Sequence, residues 1–253
     1  MSEGQHWNAE KYAADFAYVP DYGKDVGALL TLDEGARVLD LGCGTGAITL
    51  LLKERGFNVL GLDHDPEMLR VARHTCPEVR FLEADAADFA LEEPVDAVFS
   101  NAVLHWLPKK RHKKLLQCVY HALKPGGQFV FEMGAHGNTR AVQEAFATAL
   151  SHHGLSYQPG FYFPRLGRYA RRLEKAGFEV EYATVFPRLT PLDGDGGLEA
   201  WMEMFLGAHL HKLAAVLRTA VKAEVTEALK PQFFREGRWY VDYVRLRVKA
   251  RRV

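Results

Sequence analysis

The chain has 253 residues, of which 48% are hydrophobic and 25% charged, enough apolar mass for one α/β domain with a full core. The chain has 32 Lys and Arg residues and 32 Asp and Glu residues. This balance argues against the strongly basic proteins that bind nucleic acid or anionic membranes through their net charge. Three cysteines, far apart in the sequence, argue against a disulfide framework and are typical of a reducing compartment.

Nothing in the sequence resembles a targeting or membrane segment. The first 16 residues are polar and lack the apolar centre of a secretory signal. No apolar run reaches the roughly 18 residues that a membrane-spanning helix needs. We therefore expect a cytoplasmic protein, a monomer or weak dimer, with a small-molecule substrate and with neither nucleic acid nor membrane as a partner.

The first part of the chain alternates between short apolar runs and helical segments. The predicted strands are Arg37–Gly42, Asn58–Asp63, Val79–Asp85, Val95–Asn101 and Gln128–Met133, and the predicted helices are Ala47–Arg55, Pro66–His74 and Lys109–Leu123. Strands that alternate with helices of this length predict βαβ units on a parallel sheet. The strands are apolar nearly throughout, which indicates helices on both faces of that sheet.

The second part of the chain adds further helices and two strands. The predicted elements are helices at Asn138–His153 and Arg168–Ala176, a strand at Gly177–Phe186, a turn-rich break at Pro191–Gly197, a helical segment at Leu198–Leu229 and an alternating strand at Trp239–Arg252. We expect an N-terminal lid segment at 1–30, a core at 31–190, an inserted helical cap at 191–232 and a final core strand at 233–253.

The segment VLDLGCGTGA places three glycines at alternate positions directly after the first strand: Gly42, Gly44 and Gly46. Such a loop lets a ligand approach the backbone closely, although a simple tight turn has the same composition. Asp40 precedes the first glycine by two residues, and its carboxylate would repel a phosphate. A cationic group, an ammonium or a sulfonium, suits this position.

Acidic residues also end the next two predicted strands. Asp63 stands about twenty residues after the first glycine, where an acid commonly accepts both hydroxyls of a ribose. It is also a candidate helix N-cap, but Asp65 can fill that role. Asp85 can accept a hydrogen bond from the exocyclic amine of an adenine. Ammonium, ribose and adenine without a phosphate describe S-adenosylmethionine.

Five motifs in order resemble those of the class I S-adenosylmethionine-dependent methyltransferases. They are DLGCGTG (40–46), LDHD (62–65), EADA (83–86), FSNAVLHWL (99–107) and LKPGGQFVFEM (123–133). The chain is most similar to the trans-aconitate methyltransferase-like group, in Trp7, Tyr12, the NAVLHW segment, the FYFP loop (161–164) and EAWMEMF (199–205). The resemblance implies a Rossmann-like α/β fold with a seven-stranded, mostly parallel sheet whose last strand is reversed, and S-adenosylmethionine as the cofactor.

The resemblance also implies roles for individual residues. The implied contacts are Asp40 near the methionine ammonium, Gly42 and Gly44 along the methionine, Asp63 on the ribose, His64 and Met68 around the adenosine, Asp85 and Ala86 at the adenine, Asn101 beside the methionine, and Trp7 and Tyr12 in a lid over the cofactor. Aromatic residues spread through Trp7–Tyr22 favour that lid, with packing against the core as the alternative.

The acceptor side is less constrained by the sequence. His105 stands where the trans-aconitate enzymes tend to carry glutamine, and it is either a general base or a buried histidine with one hydrogen bond. Trp106 and Tyr162 are candidate acceptor contacts. We expect no metal ligand, because the two histidines of the HLH segment point to different faces of a helix.

The predicted function is transfer of a methyl group to a small, partly apolar acceptor on oxygen or nitrogen. A carboxylate is a possible acceptor, with Arg165 and Arg168 as its candidate partners, but a free dicarboxylic acid is less favoured. The alternatives are a nicotinamide oxidoreductase, a non-catalytic S-adenosylmethionine-binding regulator, and carbon methylation of the cyclopropane-fatty-acid-synthase type. The basic run Lys109–Lys114 is expected to be a solvated helix face, with acidic substrates or RNA as the alternative.

Overall fold

A computed structural model describes residues 18–192 and 197–253 of the chain. Within this part, the strands are β1 (Arg37–Leu41), β2 (Asn58–Asp63), β3 (Arg80–Glu83), β4 (Val95–Asn101), β5 (Leu123–Gly134), β6 (Phe178–Leu192), β7 (Phe234–Arg235) and β8 (Arg238–Arg252). The α-helices are α1 (Tyr18–Gly27), α2 (Ala47–Glu54), α3 (Pro66–Thr75), α4 (His112–Ala122), α5 (Arg140–His152), α6 (Leu166–Glu174), α7 (Gly197–Leu210) and α8 (Ala215–Phe233).

All of these strands belong to a single sheet with the order β3-β2-β1-β4-β5-β8-β6, and the short β7 pairs with β8. The strands from β1 to β5 are paired in parallel. β8 runs antiparallel to both of its long neighbours, β5 and β6. The predicted mostly parallel α/β sheet with a reversed last strand is therefore confirmed.

Helices cover both faces of the sheet, as the apolar strands predict. On one face, Phe129 and Phe131 of β5 pack with Tyr169 of α6 and with α4 in the largest buried cluster. On the other face, Val130 of the same strand packs with Val26 of α1 and with α2. The alternation along β5 thus feeds two separate cores, because successive side chains of a strand point to opposite faces.

A third buried cluster joins the C-terminal helices to the sheet. Trp201 of α7 is buried and its Nε1 donates a hydrogen bond of 2.7 Å to the hydroxyl of Tyr243 on β8. Phe146 of α5 and Val221 of α8 complete this cluster. The helical segment predicted between β6 and the final strand is present, but it is divided into α7 and α8 by a break at residues 211–214.

β6 extends six residues beyond its predicted end at Phe186 and reaches Leu192, so Pro191 and Leu192 belong to the strand and not to the predicted turn-rich break. The added residues include Pro187 and Pro191, which lack the N–H groups that a central strand needs. β6 is the outermost strand of the sheet, where a proline can be tolerated when its nitrogen faces away from the neighbouring strand.

Candidate functional site

The glycine loop follows β1 at the carboxyl edge of the parallel strands, where open α/β sheets bind their ligands. Gly42, Gly44 and Gly46 all have positive φ, at 78°, 53° and 84°. A Cβ atom on Gly42 would lie 2.4 Å from the side chain of Val103, so only glycine fits there. A Cβ on Gly44 would meet no described atom within 4 Å, which leaves the backbone open to a ligand.

The carboxylate of Asp63 organises this loop. Its Oδ2 accepts a hydrogen bond of 2.9 Å from the Gly44 amide, and its Oδ1 accepts bonds of 2.7 and 3.0 Å from the amides of His64 and Asp65. The capping role falls to Asp65, which accepts from the Met68 amide at the start of α3. Oδ2 therefore retains acceptor capacity beyond the Gly44 bond, as a ribose contact requires.

A narrow cleft beside this carboxylate, here called the Asp63 cleft, runs along the strand ends and has a volume of about 30 Å³. Its lining residues are Gly42, Leu62, Asp63, His64, Ala84, Asp85, Ala86, Val103 and Leu107. The cleft thus brings together five of the residues predicted to hold the cofactor. Met68, predicted to pack around the adenosine, is buried in the first turn of α3 and is not among the lining residues.

Asp85 closes the far end of the Asp63 cleft, and it already has a cationic partner. Both of its oxygens bind the guanidinium of Arg111 at 2.8 Å, and Oδ1 also accepts from the Ala87 amide at 2.8 Å. Partial burial raises the pKa of Asp85, but these hydrogen bonds and the charge of Arg111 outweigh it and hold the pKa below its ordinary value. An adenine amine would share this carboxylate with Arg111.

Asp40 is buried beneath the glycine loop at 2% exposure, so it does not stand at the mouth of the loop as its sequence position indicated. Its Oδ2 accepts a hydrogen bond of 2.7 Å from the Thr49 hydroxyl on α2. Burial, only partly offset by this bond, and the nearby charge of Asp63 raise the pKa of Asp40 to about 7. A cation bound above the loop would stabilise its ionised form.

A second cavity, here called the Arg245 cavity, has a volume of about 30 Å³. Its lining residues are Ala102, His105, Trp106, Asn138, Thr139, Phe161, Phe163, Trp201, Phe205, Tyr243 and Arg245. The segment that follows β4 connects the two cavities, because Val103 lines the first and Ala102 the second. Ala102 has a φ of 58°, a strained left-handed conformation that often marks a functional turn.

The charge in this cavity comes from Arg245 of β8, a residue that sequence reasoning missed. Its side chain is buried, and its guanidinium lies 4.4 Å from the centre of the Tyr243 ring. Its Nε lies 3.7 Å from Oε1 of the buried Glu132 on β5 and has no hydrogen-bond partner among the described residues. The alternation of apolar and polar residues in β8 predicts a strand with one exposed face, and it does not show that a cationic side chain such as Arg245 would be buried.

Glu132 is itself held by two further arginines. Arg188 of β6 donates to both of its oxygens at 2.6 and 3.0 Å, and Arg247 of β8 donates to Oε2 at 2.9 Å. The cluster thus combines one carboxylate with three guanidiniums in the interior of the sheet. Neighbouring strands bring these residues together, since Glu132 stands opposite Arg247 in the β5–β8 register.

The geometry of His105 does not support the predicted general-base role. The backbone amide of Gly134 donates to its Nδ1 at 3.2 Å, so in the neutral ring the proton must lie on Nε2. Burial, with the nearby charges of Arg245 and His112, lowers the pKa of His105 well below its ordinary value of 6.5. The ring is therefore neutral near pH 7, has one nitrogen already engaged, and can offer a hydrogen bond from the other.

The predicted acceptor contacts Trp106 and Tyr162 lie in different places. Trp106 lines the Arg245 cavity and its ring centre is 4.8 Å from that of Phe161. Tyr162 instead points away, against His112 at 4.6 Å between ring centres, so its predicted acceptor contact is not supported. In this extended loop, successive side chains alternate in direction, and Phe161 and Phe163 are the ones that line the cavity.

Three other predicted cofactor contacts complete the account. Asn101 ends β4 and is buried. Its side-chain amide lies close to Gly23 of α1: a Cβ atom added to that glycine would be 3.5 Å from the Asn101 Nδ2. Trp7 and Tyr12, predicted for the lid, lie outside the described residues.

Among the residues described, no cluster of histidine, cysteine and acidic side chains could hold a metal ion. None of the described helices is long and apolar enough to cross a membrane.

Comparison with known proteins agrees with this architecture. Residues 38–127 match the sequence model of the family described as "Methyltransferase domain". The chain is 31% identical to the methyltransferase C70.08c of Schizosaccharomyces pombe over 97% of both chains. It is 34% identical to the trans-aconitate 2-methyltransferase of Methylobacterium nodulans over 97% of this chain and 98% of that protein. A solved S-adenosylmethionine-dependent methyltransferase from Mesorhizobium loti shares the fold, with a TM-score of 0.55, 23% identity, and coverage of 90% of this chain and 96% of that one.

A parallel sheet with a reversed strand, an open glycine loop and an acid-lined cleft define a nucleotide-type cofactor site that avoids phosphate. The chain belongs to the class I S-adenosylmethionine-dependent methyltransferases, close to the trans-aconitate 2-methyltransferase group. Its cofactor is S-adenosylmethionine, and the acids present fit it: Asp63 and Asp85 line the cleft and suit ribose hydroxyls and an amine, and the charge of Asp40 beneath the loop would favour an ammonium above it. The individual contacts remain predictions.

We expect cofactor affinity to depend on the ionisation of Asp40. Between pH 8 and pH 6 the wild-type affinity for S-adenosylhomocysteine should fall, because protonation near pH 7 removes the charge that the ammonium needs. The limit is about tenfold per pH unit below that pKa. Asp40→Asn keeps the acceptor for Thr49 but should lose about 1.5–3 kcal/mol of affinity at pH 8, together with this pH dependence, in calorimetric titrations.

The same substitution makes an opposite prediction for stability. A folded-state pKa raised from 3.8 to about 7 favours folding at low pH, and this contribution is lost as the pH rises through that window. Ligand-free Asp40→Asn should therefore melt at a higher temperature than wild type at pH 8. Asp96→Asn, at the opposite edge of the sheet beside Lys124, is the matched control and should leave cofactor affinity unchanged. A pH-independent wild-type affinity would contradict the role of Asp40.

Proposed function

We propose that the chain transfers the methyl group of S-adenosylmethionine to a carboxylate oxygen of a small organic acid. The observation that carries the proposal is Arg245, a buried guanidinium in the wall of the Arg245 cavity. Arginine presents paired N–H donors that match the two oxygens of a carboxylate. The remaining wall is largely aromatic, so this cation is the feature that would fix the orientation of an acceptor.

The charge balance around Arg245 favours an anionic acceptor. Glu132 already receives hydrogen bonds from Arg188 and Arg247, whereas Arg245 lies at 3.7 Å from it. Glu132 is thus bonded by the other two arginines, and the buried Nε of Arg245 has no hydrogen-bond partner among the described residues. Buried charge is costly without a partner, and an acceptor carboxylate would supply one.

A carboxylate acceptor also agrees with the state of His105. A carboxylic acid is ionised near pH 7, so its oxygen needs no base before it attacks the methyl carbon. When bound, S-adenosylmethionine supplies a methyl group activated by its sulfonium. The new carbon–oxygen bond forms as the carbon–sulfur bond breaks, which yields a methyl ester and no free proton. His105 would donate its Nε2 proton to the acceptor in a hydrogen bond and hold it in place.

The relatives support the same chemistry, because several of them are named trans-aconitate 2-methyltransferases. These names support a carboxylate as the group that is methylated. The rest of the acceptor molecule is not specified by the proposal. The proposal also replaces the sequence-based expectation that dicarboxylic acids are disfavoured and that Arg165 or Arg168 would bind a carboxylate. Both of those arginines are exposed and line a separate surface groove.

The direct test supplies the purified protein with methyl-labelled S-adenosylmethionine and a panel of small mono-, di- and tricarboxylic acids, amines, phenols and unsaturated lipids. We expect label in one or more acids as a base-labile methyl ester. Label only in amines or hydroxyls would contradict the proposal. Label only on carbon would favour the cyclopropane-type alternative, and no transfer to any compound would favour the regulator.

Arg245→Met should lower kcat/KM for the acceptor by a factor equivalent to a loss of about 2–5 kcal/mol in transition-state stabilisation. This is the usual cost of removing one partner of a buried, hydrogen-bonded charge pair. The loss should fall mainly on KM and leave S-adenosylhomocysteine affinity unchanged, because Arg245 lies outside the Asp63 cleft. Arg165→Met removes the exposed arginine considered from the sequence and serves as the control. Equal losses in the two variants would refute the assignment to Arg245.

His105→Gln separates a hydrogen-bond donor from a base. Glutamine can accept from the Gly134 amide and still donate into the cavity, so we expect turnover within about tenfold of wild type, whereas removal of a general base typically costs about 10²–10⁴-fold. His105→Ala should lose more than His105→Gln. If both variants lose the same large factor, and wild-type turnover at saturating cofactor falls on acidification with the pKa of a histidine, His105 is the base after all.

A further inference from the structure

A wide groove with a volume of about 1440 Å³ lies between α6 and α4, together with the segment that leads into α4. Eight cationic side chains line it: Lys109, Lys110, Lys113, Arg165, Arg168, Arg171, Arg172 and Lys175. No Asp or Glu is among its described lining residues. This surface is called the basic groove below.

The positive charge of the basic groove is concentrated and uncompensated. The chain as a whole has equal numbers of cations and anions, yet eight of its 32 Lys and Arg residues line this one groove. Within residues 18–192 and 197–253, the ion pairs at 4.0 Å or less include none of the eight, although other surface cations such as Lys53 and Lys114 are paired. A solvated helix face in a neutral protein would be expected to alternate in sign.

The sequence of α6 increases the repulsion. Arg168 stands three and four residues before Arg171 and Arg172, and Lys175, at the C-cap, stands four and three residues after them, which places the four on the same side of the helix. Like charges at these spacings destabilise a helix. An anionic ligand would relieve that repulsion and gain from several cations at once.

The two walls of the groove are fixed relative to each other. Arg172 donates a hydrogen bond of 3.0 Å to the backbone oxygen of Lys109 across the groove, and its guanidinium lies 5.6 Å from the centre of the Tyr162 ring. Tyr169 of α6 and Leu115 of α4 are buried in the same apolar cluster. The groove is therefore formed in advance, which reduces the conformational cost of binding.

The floor of the groove is mainly aliphatic. Its apolar residues are Pro108, Tyr120 and Ala176, which are partly exposed, and Leu116, which is buried beneath the surface. Two rings are in the lining, Tyr120 and the exposed His121. The Tyr120 ring is already in contact with the guanidinium of Arg252, 4.3 Å from its centre, and its hydroxyl donates to the Val253 backbone oxygen. Single-stranded nucleic acids bind by stacking bases on open aromatic faces, and this floor offers aliphatic surface instead.

We propose that the basic groove binds an acidic segment of a partner protein, with Asp and Glu side chains against the cationic walls and Leu- or Val-type side chains on the floor. Charge complementarity selects the acidic residues, and the aliphatic floor selects an amphipathic peptide over nucleic acid. The groove shares no described lining residue with the Asp63 cleft or the Arg245 cavity, so the proposal goes beyond methyl transfer and stands independently of it.

The test measures binding of a fluorescent peptide of about sixteen residues, rich in Glu with Leu at helical spacing, by polarisation at about 0.15 M ionic strength. The parallel probes are an oligoglutamate and a single-stranded oligouridylate with matched total charge. We expect the Leu-bearing peptide to bind at least roughly tenfold more tightly than either of them, a difference of about 1.4 kcal/mol.

The variant Lys113→Glu/Arg168→Glu/Arg171→Glu should lose this binding and retain methyl-transfer activity, since none of these residues lines the catalytic cavities. The control Lys212→Glu/Arg235→Glu/Arg238→Glu makes the same change in net charge at exposed positions elsewhere and should bind like wild type. If the charge-reversed groove variant does not fold, Lys113→Gln/Arg168→Gln/Arg171→Gln replaces it, and loss of peptide binding is expected again.

Several outcomes would overturn the proposal. Tighter binding of the oligouridylate, abolished by the groove variant, would assign the groove to nucleic acid. An oligoglutamate that binds as tightly as the Leu-bearing peptide would contradict the use of the floor. Equal loss of peptide binding in the groove and control variants, or no binding by wild type, would show that the groove is a solvated surface.

Discussion

The buried carboxylate of Glu132 is the constraint on which the acceptor side of this structure depends. It lies at 2% exposure within the sheet, and it is held there by guanidiniums from two other strands, β6 and β8. A buried ion pair is weak support for stability, but a broken one is costly, so this carboxylate requires its arginines to face inwards. That requirement brings β8, the reversed strand, into register beside β5 and leaves Arg245 in the wall of the cavity. Loss of Glu132 would leave the clustered guanidiniums without their shared anion.

The two sides of the site use opposite electrostatics. The cofactor side is acidic, with Asp40 and Asp63 at the ends of neighbouring parallel strands, and the acceptor side is cationic through Arg245. The connection between them is the turn at Ala102 and Val103, whose left-handed residue directs one side chain to each cavity. The acidic side suits a cofactor with an ammonium and a sulfonium, and the cationic side suits the carboxylate acceptor proposed above. An acceptor of that kind would need no proton-accepting side chain.

The sheet and several residues of the Asp63 cleft could be predicted from the sequence because local patterns encode them. Alternating strand and helix periods predict the parallel sheet, and the glycine spacing with Asp63 at the next strand end predicts the cleft. The acceptor side depends on contacts between residues far apart in the chain, such as Glu132 with Arg247, and no local pattern records these. Tyr162 illustrates the limit: the sequence indicates an aromatic loop, but which of its rings face the Arg245 cavity depends on the backbone direction. The positive φ of Ala102 could not be predicted from the sequence either, because alanine is not a residue type that favours the left-handed conformation.

The most direct test of this account is a double-mutant cycle between Arg245 and the acceptor carboxylate. Binding of the acceptor acid, and of its analogue with that carboxylate replaced by a carboxamide, would be measured by calorimetry on the S-adenosylhomocysteine complexes of wild type and Arg245→Met. A direct charged hydrogen bond predicts a coupling energy of about 1.5–3 kcal/mol, because either change alone removes the same interaction. Additivity within about 0.5 kcal/mol would contradict the account, since it would show that Arg245 does not contact the group that is methylated.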